Sequence, residues 1–272
     1  HPLSKGQGKT AAAIGIAFIA ALATAIKTGL INVDNFSTVL LSTIILAVIV
    51  YFTRLLTNPH VSSDNKRHII AYMPLFLTIC MFWAVWFQVY TVATVYFDET
   101  VNRTIGSFTI PVSWKDSIQS MWVILFSGVM AAIWTKMGRK QPKTPLKFAM
   151  AVFVTGASFL CFIPFISSGT PMPIMVFSLI ILAITIGELM ISPIALSIST
   201  KIAPPLFKTQ MVALNFLAFS LGFTLGGVLF EKGYHAGNDI GFYQLLFYIG
   251  AATGTLLLLL IPVLNKMLKG ID

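Results

Sequence analysis

The sequence predicts an all-α membrane protein of eight transmembrane helices, and three observations predict it. The 272 residues are 57% apolar and only 10% charged, with a mean hydropathy of +0.86; soluble domains carry about 25% charged residues. The apolar residues fall in eight runs, each with the roughly 20 residues that a helix needs to cross the hydrocarbon. Those runs far exceed the ~10 alternating residues of a transmembrane strand. A backbone in lipid must also satisfy its own polar groups, which leaves helices.

The runs lie at 10–31, 37–57, 69–97, 116–136, 147–167, 174–200, 209–230 and 242–265. An even number of crossings puts both ends on one side. Fourteen of the eighteen basic residues fall at the termini or in the even-numbered connections, with KMGRKQPKTPLK the densest stretch. Lys27, Arg103, Lys115 and Lys232 lie on the other side, among Asp34, Asp98, Glu99, Asp116, Glu231 and Asp239. Lysine and arginine mark cytoplasmic loops, so both termini are predicted cytoplasmic. The net charge of +9 is therefore a topology signal. Spread over short loops, it does not make the clustered basic face that nucleic acid requires. Trp114, Trp122, Tyr51 and Tyr234 fall near predicted interfaces, where aromatic belts sit. The chain opens His1-Pro2-Leu3 with no signal-peptide pattern, and it reads as a piece of a longer protein or a processed product.

Run three carries FWAVWFQVYTVATVYF. Gln88, Thr91 and Val95 share a face, with Ala84 above them. Trp83 and Trp86 sit in mid-run and either line a cavity or pack; Pro74 offers a bend. Run four has Gln119 and Ser120 in its first turns, and Gln119 faces either a ligand or a helix neighbour. Cys80 in run three and Cys161 in run five read as small buried hydrophobes, not as a disulfide framework.

Run six holds the most informative residue. Glu188 is the only formal charge deep inside any long apolar run. A carboxylate there costs roughly 2.5–3.5 kcal/mol on insertion scales. It is therefore expected to face a protein interior or a watery cavity and to meet a cation or a proton; a structural glutamate hydrogen-bonded between helices is the alternative. Ser192, Ala195 and Ser199 follow it at helical spacing on one face. Pro193 removes a backbone hydrogen bond, and is expected to kink or unwind the helix and offer carbonyls to a ligand. Runs seven and eight contain Gly222–Gly226 and Gly250–Gly254, small-xxx-small seams for close helix packing or for sliding. Asn215 is polar within run seven and is placed with Glu188 as a cavity residue.

Other chemistry lacks its residues. All four histidines (His1, His60, His68, His235) fall in loops or at the terminus. No metal-ligand spacing or cysteine cluster appears. The serines near Glu188 have no intramembrane Lys or His to activate them. KGQGKT at 5–10 lacks the spacing and preceding strand of a phosphate loop. No cofactor and no enzymatic role are expected.

At run six the sequence also resembles a known family. GELMISPIALSISTKIAP is similar to the signature of the proton-coupled oligopeptide transporters. FWAVWFQ, IPVSWKDSIQS and WTKMGRKQPKTPLKF resemble the family's seventh helix, eighth-helix start and following cytoplasmic loop, in the right order. The resemblance covers almost the whole chain. It implies a hairpin inserted between two halves (residues 1–66), then the C-terminal six-helix half of a major facilitator fold (residues 67–272), with an N-terminal six-helix half elsewhere. It further implies a bacterial plasma-membrane symporter that imports di- and tripeptides with protons by alternating access. On it, Glu188 meets the substrate's amino terminus. Trp83, Ser192 and Asn215 shape the pocket, while Gln88 and Gln119 supply hydrogen bonds. The chain departs from the family at Phe87, where a glutamate linked to proton coupling is usual. It departs also at Gln119 for Asn, Ser120 for Pro and Asn215 for Trp. A different small solute, or a membrane assembly domain that does not transport, are the alternatives.

Overall fold

The structure, a computed structural model, describes residues 5–271. Eight of its helical segments are long and apolar enough to cross a membrane, in agreement with the eight runs. The chain divides into two compact units, His1–Thr43 and Ile44–Asp272.

The first unit contains helix α1 (Lys5–Lys27) and the start of α2 (Phe36–Thr57). Gly29, at φ 75°, ends α1 in the left-handed conformation that glycine tolerates best. Asn32 and Asn35 then build the turn reciprocally. The Asn32 backbone N–H donates to Asn35 Oδ1 at 2.9 Å, and the Asn35 N–H to Asn32 Oδ1 at 3.0 Å. The apolar side chains Ile16, Phe18 and Ile19 are exposed, as suits a helix whose solvent is lipid.

The second unit is a helical bundle around α3 (Ser63–Trp86). Ser62 caps α3 through the Asn65 N–H, and Ile69, Tyr72, Leu75, Ile79 and Phe82 are fully buried. The rest of the bundle is α5 (Lys115–Met137), α6 (Thr144–Leu160), α8 (Ile174–Lys201), α9 (Lys208–Gly233) and α10 (Asp239–Met267), with short α4 (Val92–Glu99) and α7 (Ile163–Ser168). Glycines set the tightest approaches. A Cβ on Gly226 would lie 2.8 Å from Phe87 Cβ and 2.9 Å from the Ala84 carbonyl; one on Gly250 would lie 2.9 Å from the Val152 carbonyl. The two predicted seams thus bring α9 onto α3 and α10 onto α6 at distances no larger residue allows.

Three expectations about helix continuity are corrected. Run three is not one continuous helix: α3 runs through Pro74 and ends at Trp86. A 3-10 turn, Phe87–Val89, separates it from α4. Side chains hold this break. Gln88 Nε2 donates to the Ala84 and Gly226 carbonyls at 3.0 and 2.9 Å, and Thr91 Oγ1 donates to Gln88 Oε1 at 2.7 Å. The Val89 carbonyl, freed from helical pairing, accepts from Thr94 Oγ1 and from Lys115 Nζ. Run five is split as well, at Cys161–Phe162 ahead of Pro164, which starts α7. Conversely, α8 stays helical through Pro193. The helix is therefore not unwound at that proline.

Cys161 is also corrected: it is exposed, whereas Cys80 is buried as expected. On the side opposite the basic loops, two short strand pairs join the helix ends. β1 (Val101–Asn102) runs parallel to β4 (Met172–Pro173), and β2 (Thr104–Ile105) pairs with β3 (Phe108–Thr109) across Gly106. Arg103 braces this loop by donating to the Ile110 carbonyl and to Asp98.

Candidate crevice around Glu188

Glu188 sits midway along α8, beside Gly187. A Cβ on Gly187 would collide with Thr155 Oγ1 and come within 3.0 Å of the Ala151 carbonyl. That glycine lets α6 pack closely behind α8 and leaves the acid on the other side. Two neighbouring helices then supply donors. Trp86 Nε1, at the end of α3, donates to Glu188 Oε2 at 3.1 Å. Gln119 Nε2, in the second turn of α5, donates to the same oxygen at 3.2 Å. Glu188 Oε1 accepts from none of the described residues and is not sealed from solvent. No basic side chain among the described residues pairs with Glu188; the ion pairs are Arg103–Asp98 and Lys115–Asp116.

This arrangement has a chemical meaning. Two N–H donors hold one carboxylate oxygen in a low-dielectric wall, where hydrogen bonds to charge are strong. The second oxygen is left for a cation, a proton or a ligand N–H.

Aromatic rings shape the wall. Trp86 packs edge-on against Trp83 with centroids 4.8 Å apart and against Tyr90 at 5.4 Å. Trp83 in turn packs on Phe219 and Phe223 of α9 at 4.9 and 5.2 Å. The alternatives weighed for the tryptophans resolve differently: Trp83 mostly packs, while Trp86 packs and also holds the acid. Sequence reasoning left Trp86 out of the site. A buried indole N–H usually finds an acceptor, which was a signal for Trp86, although the neighbouring Trp83 N–H has none.

The other expected site residues divide. Gln119 is buried against Glu188, with its Oε1 unpaired. Ser192, one turn along α8, is half-buried with an unpaired hydroxyl. The stripe does not continue beyond it, since Ala195 and Ser199 are fully buried in helix packing. Asn215 is 1% exposed and both its amide atoms lack partners, so no hydrogen bond joins it to Glu188. Gln88 stands apart, completely buried and committed to backbone carbonyls at the α3 break.

Lys115 was read from sequence as an outer-side charge. It is 2% exposed, with Nζ 2.9 Å from the Val89 carbonyl, 2.7 Å from Asp116 Oδ1 and 4.9 Å from the Tyr90 ring centre. It lies one turn before Gln119, so it ties α5 to the α3 break at the level where α5 also reaches Glu188.

A bundle of membrane-length helices with an acid midway along one of them suits a secondary transporter, and comparison with known proteins makes the class specific. The family description "POT family" matches residues 8–246. The chain belongs to the POT family. It is 31% identical over its whole length to the "Uncharacterized transporter YclF" of Bacillus subtilis, covering 55% of that protein. It is 34% identical to the "Di-/tripeptide transporter" of Lactococcus lactis subsp. cremoris, over 86% of this chain and 49% of that protein. Among solved structures, a mutant peptide transporter POT in complex with alafosfalin superposes with a TM-score of 0.88 at 28% identity, covering 99% of this chain and 55% of that one. A POT family transporter in complex with 5-aminolevulinic acid superposes with a TM-score of 0.83 at 25% identity, covering 98% of this chain and 56% of that one. The chain spans about half the length of the curated relatives it matches.

Proposed function

We propose that this chain is the C-terminal half of a proton-coupled symporter that imports small peptides by alternating access, working against an N-terminal six-helix half. Residues 1–66 form the inter-domain hairpin in this reading, and residues 67–272 form the transporting bundle. It is a multi-pass protein of a bacterial plasma membrane with both ends of this chain cytoplasmic, and it acts by binding and moving solute, not as an enzyme.

The observation that carries the proposal is Glu188: one carboxylate oxygen fixed by Trp86 and Gln119, the other open, and no basic partner among the described residues. Such a group selects a substrate ammonium. Trp83, Ser192, Gln119 and Asn215 border the pocket, with Trp86 as the acid's support. Gln88 serves the site through the backbone break it stabilises. Phe87 cannot titrate, so the coupling acid lies mostly in the other half.

The test is peptide affinity in the full-length transporter carrying Glu188→Gln. Hydrogen bonds to a charged group contribute about 1.5–3 kcal/mol, so dialanine affinity is expected to fall roughly 10- to 100-fold, at about 1.4 kcal/mol per tenfold. Unchanged affinity would remove Glu188 from the site.

A second reading, a different small amino-bearing solute, is favoured by one feature. Asn215 places an unpaired buried amide where the family's tryptophan is usual. A competition screen of dipeptides against single amino acids and short amino-acid conjugates separates the two readings.

A further inference from the structure

Glu188 receives its two donors from helices that share little interface. Trp86 ends α3, which packs on α6, α9 and α10, while Gln119 belongs to α5, which packs chiefly on α8. Both donors nevertheless meet on one carboxylate oxygen, at 3.1 and 3.2 Å. That convergence requires the two helix ends to keep one spacing. Among the described residues a single hydrogen bond runs from α5 to the segment between α3 and α4: Lys115 Nζ donates to the Val89 carbonyl at 2.9 Å.

The ion pair of Lys115 does not explain where its ammonium sits. Asp116 is the next residue in the chain and its side chain is 57% exposed, whereas that of Lys115 is 2% exposed. A pair that needed only Asp116 would form at the surface, where the ammonium keeps its water. Burying a charge is costly unless partners replace that water. Here the replacements are the Val89 carbonyl, which the helix break leaves free, and the face of Tyr90. Tyr90 in turn packs edge-on against Trp86, and Gln119 stands one turn along α5 from Lys115. The buried ammonium therefore grips the base of both arms that reach Glu188. We propose that Lys115 is a positioning residue for the Glu188 site: it fixes α5 against the α3 break, so that Trp86 and Gln119 converge on Oε2 and Oε1 stays open. Its effect on substrate affinity rests on the reading of Glu188 as the peptide site; its effect on Trp86 does not.

The signature is the indole N–H resonance of Trp86, read by NMR in the full-length transporter in nanodiscs and assigned by its loss in Trp86→Phe. Lys115→Met keeps an unbranched apolar stem and removes the ammonium. It is expected to move that resonance as Glu188→Gln does. Arg103→Met removes another charge that bonds a carbonyl at the same end of the bundle, and is expected to leave the resonance in place. Lys115→Gln is measured alongside, so that a poorly folding methionine variant does not decide the question. Dialanine affinity is expected to fall about tenfold in Lys115→Met, the weight of one hydrogen bond to a charged group. The same change is expected to cost less on a Trp86→Phe background, because the two residues act along one path. The proposal is overturned if the resonance stays put in both Lys115 variants or moves equally in Arg103→Met. It is equally overturned if dialanine, bound by the unmodified protein, binds Lys115→Met as tightly, or if the losses of Lys115→Met and Trp86→Phe simply add. An unmodified transporter that binds no dialanine would sink the peptide reading of Glu188 and leave the resonance to decide for Lys115.

Discussion

Glu188 is held by donors that differ in what they can lose. Trp86→Phe removes the indole N–H while keeping a ring against Trp83 and Tyr90, so the wall survives and the anchor at Oε2 does not. One hydrogen bond to a charged group is lost, about 1.5 kcal/mol at the low end. Peptide affinity is expected to fall about tenfold, read by competition binding, with protein yield and melting temperature little changed. An affinity equal to the unmodified protein's would mean that Gln119 alone positions the acid. Much of this was legible at the residue scale. An acid in hydrocarbon is costly enough to single out Glu188, and Gln119, read in the first turns of its helix, does donate to it. Trp86 was harder to assign because tryptophan is apolar by area and polar by one atom, and composition reports the area. Gln88 misled for the opposite reason. A glutamine in a membrane helix reads as a ligand contact, yet here the chain's own backbone consumes its amide.

At the scale of elements, the break at 87–91 is the feature the sequence concealed. Pro74 and Pro193 looked like the interruptions, and both lie inside unbroken helices. The real interruption has no proline. It is made by a buried amide that bonds to two carbonyls and by a lysine that caps a third. Such long-range satisfaction depends on which helices become neighbours, and no local pattern encodes that. Gln88→Leu is expected to destabilise the bundle by about 2 kcal/mol, since two hydrogen bonds donated by the amide vanish and the Thr91 hydroxyl loses its acceptor. A lowered melting temperature in detergent checks it; an unchanged one would show that the break is held without Gln88. The glycine seams were legible, because close helix contact needs absent side chains. Gly226→Ala places a Cβ 2.9 Å from the Ala84 carbonyl, and backbone cannot swing aside. A loss of about 1–3 kcal/mol follows from overpacking, and thermal unfolding of that variant measures it.

At the scale of the whole molecule, the eight crossings and their order were readable because bilayer thickness fixes helix length and lipid forbids unpaired backbone. The α5 face bearing Ile124, Leu125 and Val129 is exposed in this chain. Alternating access needs two walls around the substrate. Vesicles containing this chain alone are therefore expected to accumulate no peptide, and robust uptake by them would refute the half-transporter reading.

The central claim is that the open oxygen of Glu188 receives the amino end of a transported peptide. The most direct test is peptide-driven proton uptake into liposomes holding the full-length transporter, comparing the unmodified protein with Glu188→Gln. The account predicts that dialanine acidifies the lumen only with the glutamate in place. Equal acidification by both proteins would contradict it.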